Sequence, residues 1–293
     1  MAATSDMELE HVKDKGGATL TLQVINGRYY PTFPADVIKN IGTLKIREDD
    51  VILAGYLKAG THWVWEILRM LLAGTTDVPL QEKDMGMMEF MEQHILDELP
   101  SPRVLNTHIL FELLPAEVLT KKPKIVYLTR NPKDTAVSMY HHNKKLWSYY
   151  QYDGQFGDYL HLFLDGKVDY GSWFEHISSW SAAIKEYPEL RIKGVNYEEL
   201  SQNPQQTILE MAQFLNLTPS EDLITQICQA CHIDTMREKK AQFDLDSEGQ
   251  AIMYRKGLVG DWKNYFNNEL NTLFDDVYHK KMSAIDTPFK WHF

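Results

Sequence analysis

Apolar runs bounded by charged residues are the clearest pattern in this chain, and they predict buried strands. The run 50–56 lies between charged neighbours, and 124–129 is a second buried run. Shorter strand candidates cover 103–108 and 190–196. Near-continuous apolar strands are typical of a parallel sheet whose two faces are both covered.

Segments with helical periodicity alternate with these strands. The first helix is predicted to begin at a capping residue, Thr61, and to end before Gly74. A second helix is predicted after the capping residue Asn131, with Pro132 at its first position. Three further helices are predicted over 173–187, 204–215 and 220–230. This alternation predicts an α/β fold: a single domain with a central parallel sheet and helices on both faces.

The length of 293 residues fits one large domain, which we place at 18–293, after a loose N-terminal extension over 1–17. The extension is polar and acidic and has no apolar segment of the kind found in secretory signals, so a cytoplasmic protein is expected. The most apolar long stretch, 63–73, contains two charged residues and is too short to cross a bilayer. We therefore expect no membrane partner.

The formal net charge of −11 argues against non-specific nucleic-acid binding, which requires a basic surface. Any anion site must therefore be a local cluster of cations. Cys228, Cys231 and His232 match the pattern of c-type haem attachment, and zinc is a second interpretation. Because no second pair of zinc ligands lies at the required spacing, a helix end with two small residues is favoured and no metal is predicted.

The loop between the first strand and the first helix predicts a P-loop-like phosphate cradle. It contains Lys58, Gly60 and Thr61. The glycine lets the backbone approach an anion, and the helix N-terminus offers free N–H groups. No Lys-Ser/Thr pair follows the glycine, so the loop is not a Walker A motif. For such a loop taken alone, an ordinary turn between a strand and a helix is the commoner case.

Two later stretches also place cations beside groups that can donate hydrogen bonds to an anion. Arg130 ends a predicted strand and Ser138 lies two turns into the next helix, so both can face one phosphate. Arg255 and Lys256 stand beside Gly257, which admits close backbone approach. The alternatives are a carboxylate partner for Arg130 and a charged surface loop at 255–257.

Together, these stretches resemble the cytosolic sulfotransferases, which move a sulfonate group from PAPS (3′-phosphoadenosine 5′-phosphosulfate) to a small acceptor. The resemblance rests on Tyr56-Leu-Lys-Ala-Gly-Thr-His-Trp63, Arg130-Asn-Pro-Lys-Asp-Thr-Ala-Val-Ser138 and Arg255-Lys-Gly-Leu-Val-Gly-Asp-Trp-Lys263. The first loop departs from the family's Pro-Lys-Ser-Gly-Thr-Thr-Trp at Leu57, Ala59 and His62.

The resemblance implies a set of residues that hold PAPS and its product PAP. The loop residues are Lys58, Ala59, Gly60, Thr61, His62 and Trp63. The residues implied for the 3′-phosphate are Arg130, Ser138, Arg255, Lys256 and Gly257. Tyr197 is expected near the adenine, where the segment 231–233 is a weaker second contact.

For catalysis, the resemblance implies that His108 accepts the acceptor's proton, a role that suits an imidazole that is neutral near pH 7. Asn106 stands where the family has a lysine that contacts the transferring sulfonate. We hypothesise that His62 partly replaces this lysine. Lys58 and the loop amides would stabilise charge on the transferring and leaving groups.

The implied acceptor is a small molecule with a hydroxyl, phenol or amine, framed by residues 81–100 and 141–152. The six carboxylates in 81–100 predict a solvated face, or alternatively a preference for a cationic acceptor. Of the family's dimer motif only Lys263 is present, so a monomer and a dimer both stay open. The alternative function is a PAPS/PAP-binding protein with little or no turnover.

Overall fold

The computed structural model describes residues 8–244 and 253–291. The strands are β1 Leu9–Lys13, β2 Thr19–Ile25, β3 Arg28–Tyr30, β4 Val51–Gly55, β5 Val104–Thr107, β6 Lys124–Thr129 and β7 Arg191–Asn196. The helices are α1 Ala35–Asn40, α2 Thr61–Ala73, α3 Gln93–Glu98, α4 Glu117–Lys121, α5 Pro132–Lys145, α6 Trp147–Tyr150, α7 Phe156–Asp165, α8 Trp173–Glu186, α9 Tyr197–Gln202, α10 Pro204–Phe214, α11 Glu221–Ala230, α12 Ile233–Asp244 and α13 Asn268–Met282.

A parallel sheet of four strands, in the order β5-β4-β6-β7, lies at the centre. Val51 of β4 is in register with Val104 of β5 and with Lys124 of β6. A second sheet is antiparallel, in the order β1-β2-β3. The predicted central parallel sheet is confirmed, and each of its four strands lies where the sequence pattern predicted it.

Helices cover both faces of the parallel sheet, because successive side chains of its strands point to opposite sides. Ile52 and Ala54 of β4 join one apolar cluster, together with residues of α5, α7 and α8. Val51 and Leu53 join a second cluster, together with residues of α2, α10 and α11. No helix in the described part of the chain is long and apolar enough to cross a membrane.

A buried ion pair joins the amino ends of β4 and β5. Arg103 donates from Nε to Asp50 Oδ1 at 2.8 Å and from Nη2 to Asp50 Oδ2 at 2.6 Å. Both side chains are 0% exposed. The guanidinium also donates to the carbonyl of Leu96 at 3.0 Å. This pair fixes the end of the sheet opposite to the strand ends that open toward the site.

Two sequence predictions need correction. Leu9–Lys13, inside the segment predicted to be a loose extension, is strand β1 and pairs with β2. Thr61 does not cap α2: Gly60 occupies the cap position with φ 106°, and Thr61 is the first helical residue. Glycine adopts this left-handed conformation readily because it has no Cβ atom. The predicted domain limits, 18–293, stay a prediction.

Candidate active site

A cavity of about 470 Å³ opens at the carboxyl ends of the parallel strands, where α/β sheets bind ligands. The predicted site residues in its wall are Lys58, Gly60, Thr61, His62, Trp63, His108, Arg130, Ser138, Tyr197, Arg255, Lys256 and Gly257. Ala59 and Asn106 lie behind this wall, and both are buried. The fold therefore brings together stretches that are almost 200 positions apart in the sequence.

The loop after β4 is held against Tyr197. A Cβ atom on Gly60 would come within 2.6 Å of the Tyr197 ring, and φ at this glycine is +106°. The Arg130 guanidinium lies over the same ring, 4.2 Å from its centroid, and donates to the carbonyl of Lys58 at 3.0 Å. Its buried Nε has no hydrogen-bond partner among the described residues. The loop, the arginine and the tyrosine thus form one packed unit.

The loop that contains 255–257 is anchored to α5 by a carboxylate that the sequence analysis gave no role. Asp134 accepts from the backbone N–H of Gly260 at 2.7 Å and from that of Trp262 at 2.9 Å. Since α5 begins two residues after Arg130, this contact fixes the loop that contains 255–257 relative to Arg130.

Within this second loop, the two cations share one carboxylate. Asp261 accepts from Arg255 Nη2 at 2.7 Å and from Lys256 Nζ at 2.8 Å. These hydrogen bonds hold the pKa of Asp261 at about 2, against the effect of its burial. Arg255 and Lys256 nevertheless face the same cavity as Arg130 and Ser138, so three cations and a hydroxyl can converge on one anion.

His108 is buried and has a defined orientation. Its Nδ1 lies 2.8 Å from the carbonyl oxygen of Gly55. A carbonyl can only accept, so Nδ1 carries the proton and Nε2 is left as the basic nitrogen. Burial, with help from the charge of Lys83, holds the pKa of His108 well below 6.5, so the ring is neutral at pH 7. The imidazole is therefore in the state that a general base requires.

Asn106 and His62 differ in what they can bring to the site. Asn106 accepts from Lys83 Nζ at 2.7 Å and donates to the Lys83 carbonyl at 2.9 Å. Burial and the charges of Lys83 and Lys58 hold the pKa of His62 well below 6.5. A neutral His62 can share a hydrogen bond but brings no positive charge, so the hypothesis that it replaces a lysine is restricted to hydrogen bonding.

Glu89 is buried beside the candidate base. Its Oε1 accepts from the backbone N–H of His108 at 2.6 Å, whereas Oε2 has no partner among the described residues. Burial raises the pKa of Glu89 to about 7, although the hydrogen bond from His108 acts in the opposite direction. The prediction that the carboxylates of 81–100 form a solvated face is therefore wrong at this position.

We expect Glu89 to make the stability of the protein depend on pH. The folded chain keeps this proton up to about pH 7, while the unfolded chain releases it above its ordinary pKa of 4.5. The stabilisation is thus complete at low pH and is lost as the pH rises from about 4.5 to 7, a change of about 3 kcal/mol. Urea unfolding across this range should show the loss in the wild type relative to Glu89→Gln. The exposed Glu98→Gln is the control and should run parallel to the wild type; a parallel curve for Glu89→Gln would contradict the assignment.

The Cys228–Cys231 segment also belongs to the cavity wall, together with His232 and Ile233. A Cβ on Gly257 would come within 2.9 Å of the Ile233 side chain, so this glycine lets the cation loop pack against the segment. No cluster of metal-ligating side chains occurs in the ranges 8–244 and 253–291. The two cysteines lie at the end of α11, and the sequence was likewise interpreted as a helix end.

Four residues of the site had no assigned role in the sequence analysis: Lys83, Glu89, Asp134 and Asp261. Asp134 and Asp261 lie inside the quoted motifs, and their position there was the available signal. Lys83 and Glu89 lie in an acidic loop without periodicity. Their burial follows from the packing of that loop on β5, where Met88 N–H donates to the Asn106 carbonyl at 3.0 Å.

Comparison with known proteins decides the family. The model of the family described as Sulfotransferase domain matches residues 48–286. The chain belongs to the sulfotransferase family. Mouse Sulfotransferase 1B1 is 35% identical over 290 residues, which covers 92% of this chain and 94% of that protein. Human Sulfotransferase 1E1 is 32% identical over 267 residues, covering 86% and 90%.

A crystal structure of mouse sulfotransferase SULT7A1 complexed with PAP has a TM-score of 0.76 with this chain at 30% identity. The structural match covers 90% of this chain and 95% of the mouse chain. A structure of retinol dehydratase with androsterone and inactive cofactor PAP has the same TM-score at 19% identity, which shows the fold alone. The predictions of family, fold class and PAPS-dependent sulfotransferase activity are thus confirmed.

Proposed function

We propose that this sulfotransferase transfers sulfonate from PAPS to a hydroxyl, phenol or amine of a small-molecule acceptor, with His108 as the general base. The observation that carries the proposal is the contact of His108 Nδ1 with the Gly55 carbonyl at 2.8 Å. It leaves Nε2 as the basic nitrogen, in a cavity that also contains Lys58 and Arg130.

In the proposed reaction, the acceptor oxygen or nitrogen forms a bond to the sulfonate sulfur. The bond between that sulfur and the oxygen shared with the 5′-phosphate breaks, and PAP leaves with this oxygen and its bonding electrons. The acceptor's proton passes to His108 Nε2. Negative charge grows on the leaving oxygen, where Lys58 and the N–H groups at the start of α2 can stabilise it.

The proposed 3′-phosphate site consists of Arg130, Ser138, Arg255, Lys256 and the backbone at Gly257. Arg130 supports it through its fixed position over Tyr197, which we place near the adenine together with Trp63. The ring centroids of Trp63 and Tyr197 are 5.5 Å apart, in an edge-to-face arrangement. His62 and Ala59 contribute loop backbone, and segment 231–233 lines the same cavity.

Several aromatic side chains line the cavity, namely Phe33, Tyr149, Tyr150 and Tyr170, and Asp84 lines it too. We assign this aromatic part of the wall to the acceptor. Such walls favour flat apolar bodies that carry a polar group at one end. A small molecule that carries a ring and a phenol, hydroxyl or amine group fits this description.

We also propose that the protein acts in the cytoplasm.

The alternative function, a PAP-binding protein with little turnover, rested on the loss of a lysine at Asn106. The buried Lys83 at this position weakens that alternative, since a cation is present after all. An assay of the purified protein with sulfur-labelled PAPS and a panel of phenols, alcohols and amines tests the proposal. Transfer to none of them, with PAP bound normally, would support the alternative instead.

We expect PAP to raise the melting temperature of the protein much more than 5′-AMP does, because AMP lacks the phosphate that four side chains are proposed to hold. Removing one charge-assisted contact, as in Ser138→Ala or Arg130→Met, should weaken PAP binding by about 1.5–3 kcal/mol. Titration calorimetry and thermal shift measure both effects. Equal shifts with PAP and AMP would refute the 3′-phosphate site.

A further inference from the structure

Lys83 is a buried cation on the wall of the active-site cavity. It begins the short 3₁₀ turn Lys83–Gly86, which precedes the bridge between Met87 and Asn106. Its side chain is 3% exposed. A lysine this deep needs compensating contacts, because removing an ammonium group from water is costly.

The contacts of Lys83 fix its position without neutralising its charge. Its Nζ donates to the Asn106 amide oxygen at 2.7 Å, and the same amide donates back to the Lys83 carbonyl at 2.9 Å. Across the described ranges, the carboxylate within 4.0 Å of Nζ is that of Asp84, at 3.8 Å and with a side chain 42% exposed. The amide is neutral, and the Asp84 carboxylate is partly exposed, so water screens its effect on the ammonium group. The buried Glu89 also acts on this charge, but from beyond salt-bridge distance, and the ammonium group can still interact with an anion in the cavity.

The ammonium group also lies next to the reacting centre. Lys83 lines the same cavity as Lys58, His62 and His108. Burial lowers the pKa values of three histidines there, His62, His108 and His142, and the charge of Lys83 lowers them further. Position 106 on β5 carries an amide, and the cation instead comes from the loop that packs along this strand.

We propose that Lys83 is a catalytic residue whose ammonium group contacts the transferring sulfonate, and that Asn106 is a positioning residue that holds it there. This inference rests on the proposed function. As the sulfur passes from the leaving oxygen to the acceptor, its equatorial oxygens carry negative charge, and Lys83 stabilises that charge from the wall of the cavity that it shares with Lys58. Lys83 takes no proton and forms no covalent bond; the acceptor's proton still goes to His108.

The test compares Lys83→Met with the wild type under saturating PAPS and the best acceptor. Loss of one preorganised donor to the transferring group should lower kcat by about 10²–10³-fold, with PAP affinity changed less than about twofold. The matched control is Lys124→Met, which removes a lysine from the amino end of β6, opposite to the strand end where the cavity opens. This variant should keep wild-type turnover. Lys83→Gln keeps a donor for Asn106 without the charge, and carries the test if Lys83→Met does not fold.

An exchange of the two residues provides the decisive arm. Asn106→Lys alone should lower kcat, because two ammonium groups would then meet in one buried place. Combined with Lys83→Met, the same change should recover at least about tenfold of the lost kcat, because one cation is restored.

A kcat within threefold of wild type in both Lys83→Met and Lys83→Gln would overturn the proposal. Parallel losses of kcat and PAP affinity would overturn it too, since they assign Lys83 to nucleotide binding. Failure of the wild type itself to transfer sulfonate would instead refute the proposed function.

Discussion

Replacing His108 with alanine is expected to slow sulfonate transfer by about 10²–10⁴-fold, the usual contribution of a positioned general base. The neutral ring, with Nδ1 engaged by the Gly55 carbonyl, is ready to take a proton at Nε2. Because the pKa of His108 is held well below 6.5, lowering the pH from 8 to 6.5 should not protonate it. In a plot of rate against pH, the loss of activity caused by protonation of His108 should therefore occur well below pH 6.5.

Turnover with labelled PAPS and calorimetric PAP binding should separate the base from the nucleotide site. We expect His108→Ala to keep its PAP affinity, because the phosphate cations belong to other elements. His279→Ala, an exposed histidine on α13, should behave as wild type in both assays. If His108→Ala turns over normally, His108 is structural; if it loses PAP, it belongs to the donor site.

The second large effect is expected on stability, at the other end of the sheet. Arg103→Met leaves the Asp50 carboxylate buried without the partner that now contacts both of its oxygens. Removing one member of a fully buried ion pair typically costs about 3–5 kcal/mol of the free energy of unfolding. Denaturant unfolding at pH 7 measures this loss.

Two companion variants isolate the cause. Arg103→Met combined with Asp50→Leu removes the unpaired charge as well, so it should recover most of the loss. Arg28 and Glu175 form a half-exposed pair at 2.9 Å, and Arg28→Met should cost at most about 1 kcal/mol. An Arg103→Met variant as mild as Arg28→Met would show that the buried pair contributes no more than a surface one.

The parts of the fold that could be predicted are those with local signals. β6 and α5 were predictable because an apolar run meets Asn131 and Pro132, and Asn131 Oδ1 does accept from the N–H of Lys133 at 2.8 Å. The start of α2 was not, because the local sequence does not show that Gly60 is left-handed or that Tyr197, far along the chain, packs against it. Helix α7 was missed as well, since no element was predicted over 156–165.

The residues of the candidate site can also be separated into those with a local sequence signal and those without one. Cations inside contiguous motifs, such as Arg130 and Arg255, could be predicted to line the cavity because the residues beside them in sequence mark the motif. Lys83 could not, since nothing near it in sequence marks it, and its place is set by pairing with β5. A substitution such as Asn106 therefore cannot be judged from its own strand, because a long-range contact can replace what the position has lost.

The pairing of Arg255 and Lys256 with Asp261 has a consequence for the strength of nucleotide binding. The loop carries its own anion, so a phosphate that enters the proposed site competes with a carboxylate already in contact with both cations. The binding free energy is then the difference between two sets of charge-assisted hydrogen bonds, rather than the full value of one. An exchange of this kind is selective for a doubly charged group over a singly charged one, and it returns the cations to a satisfied state when the product departs.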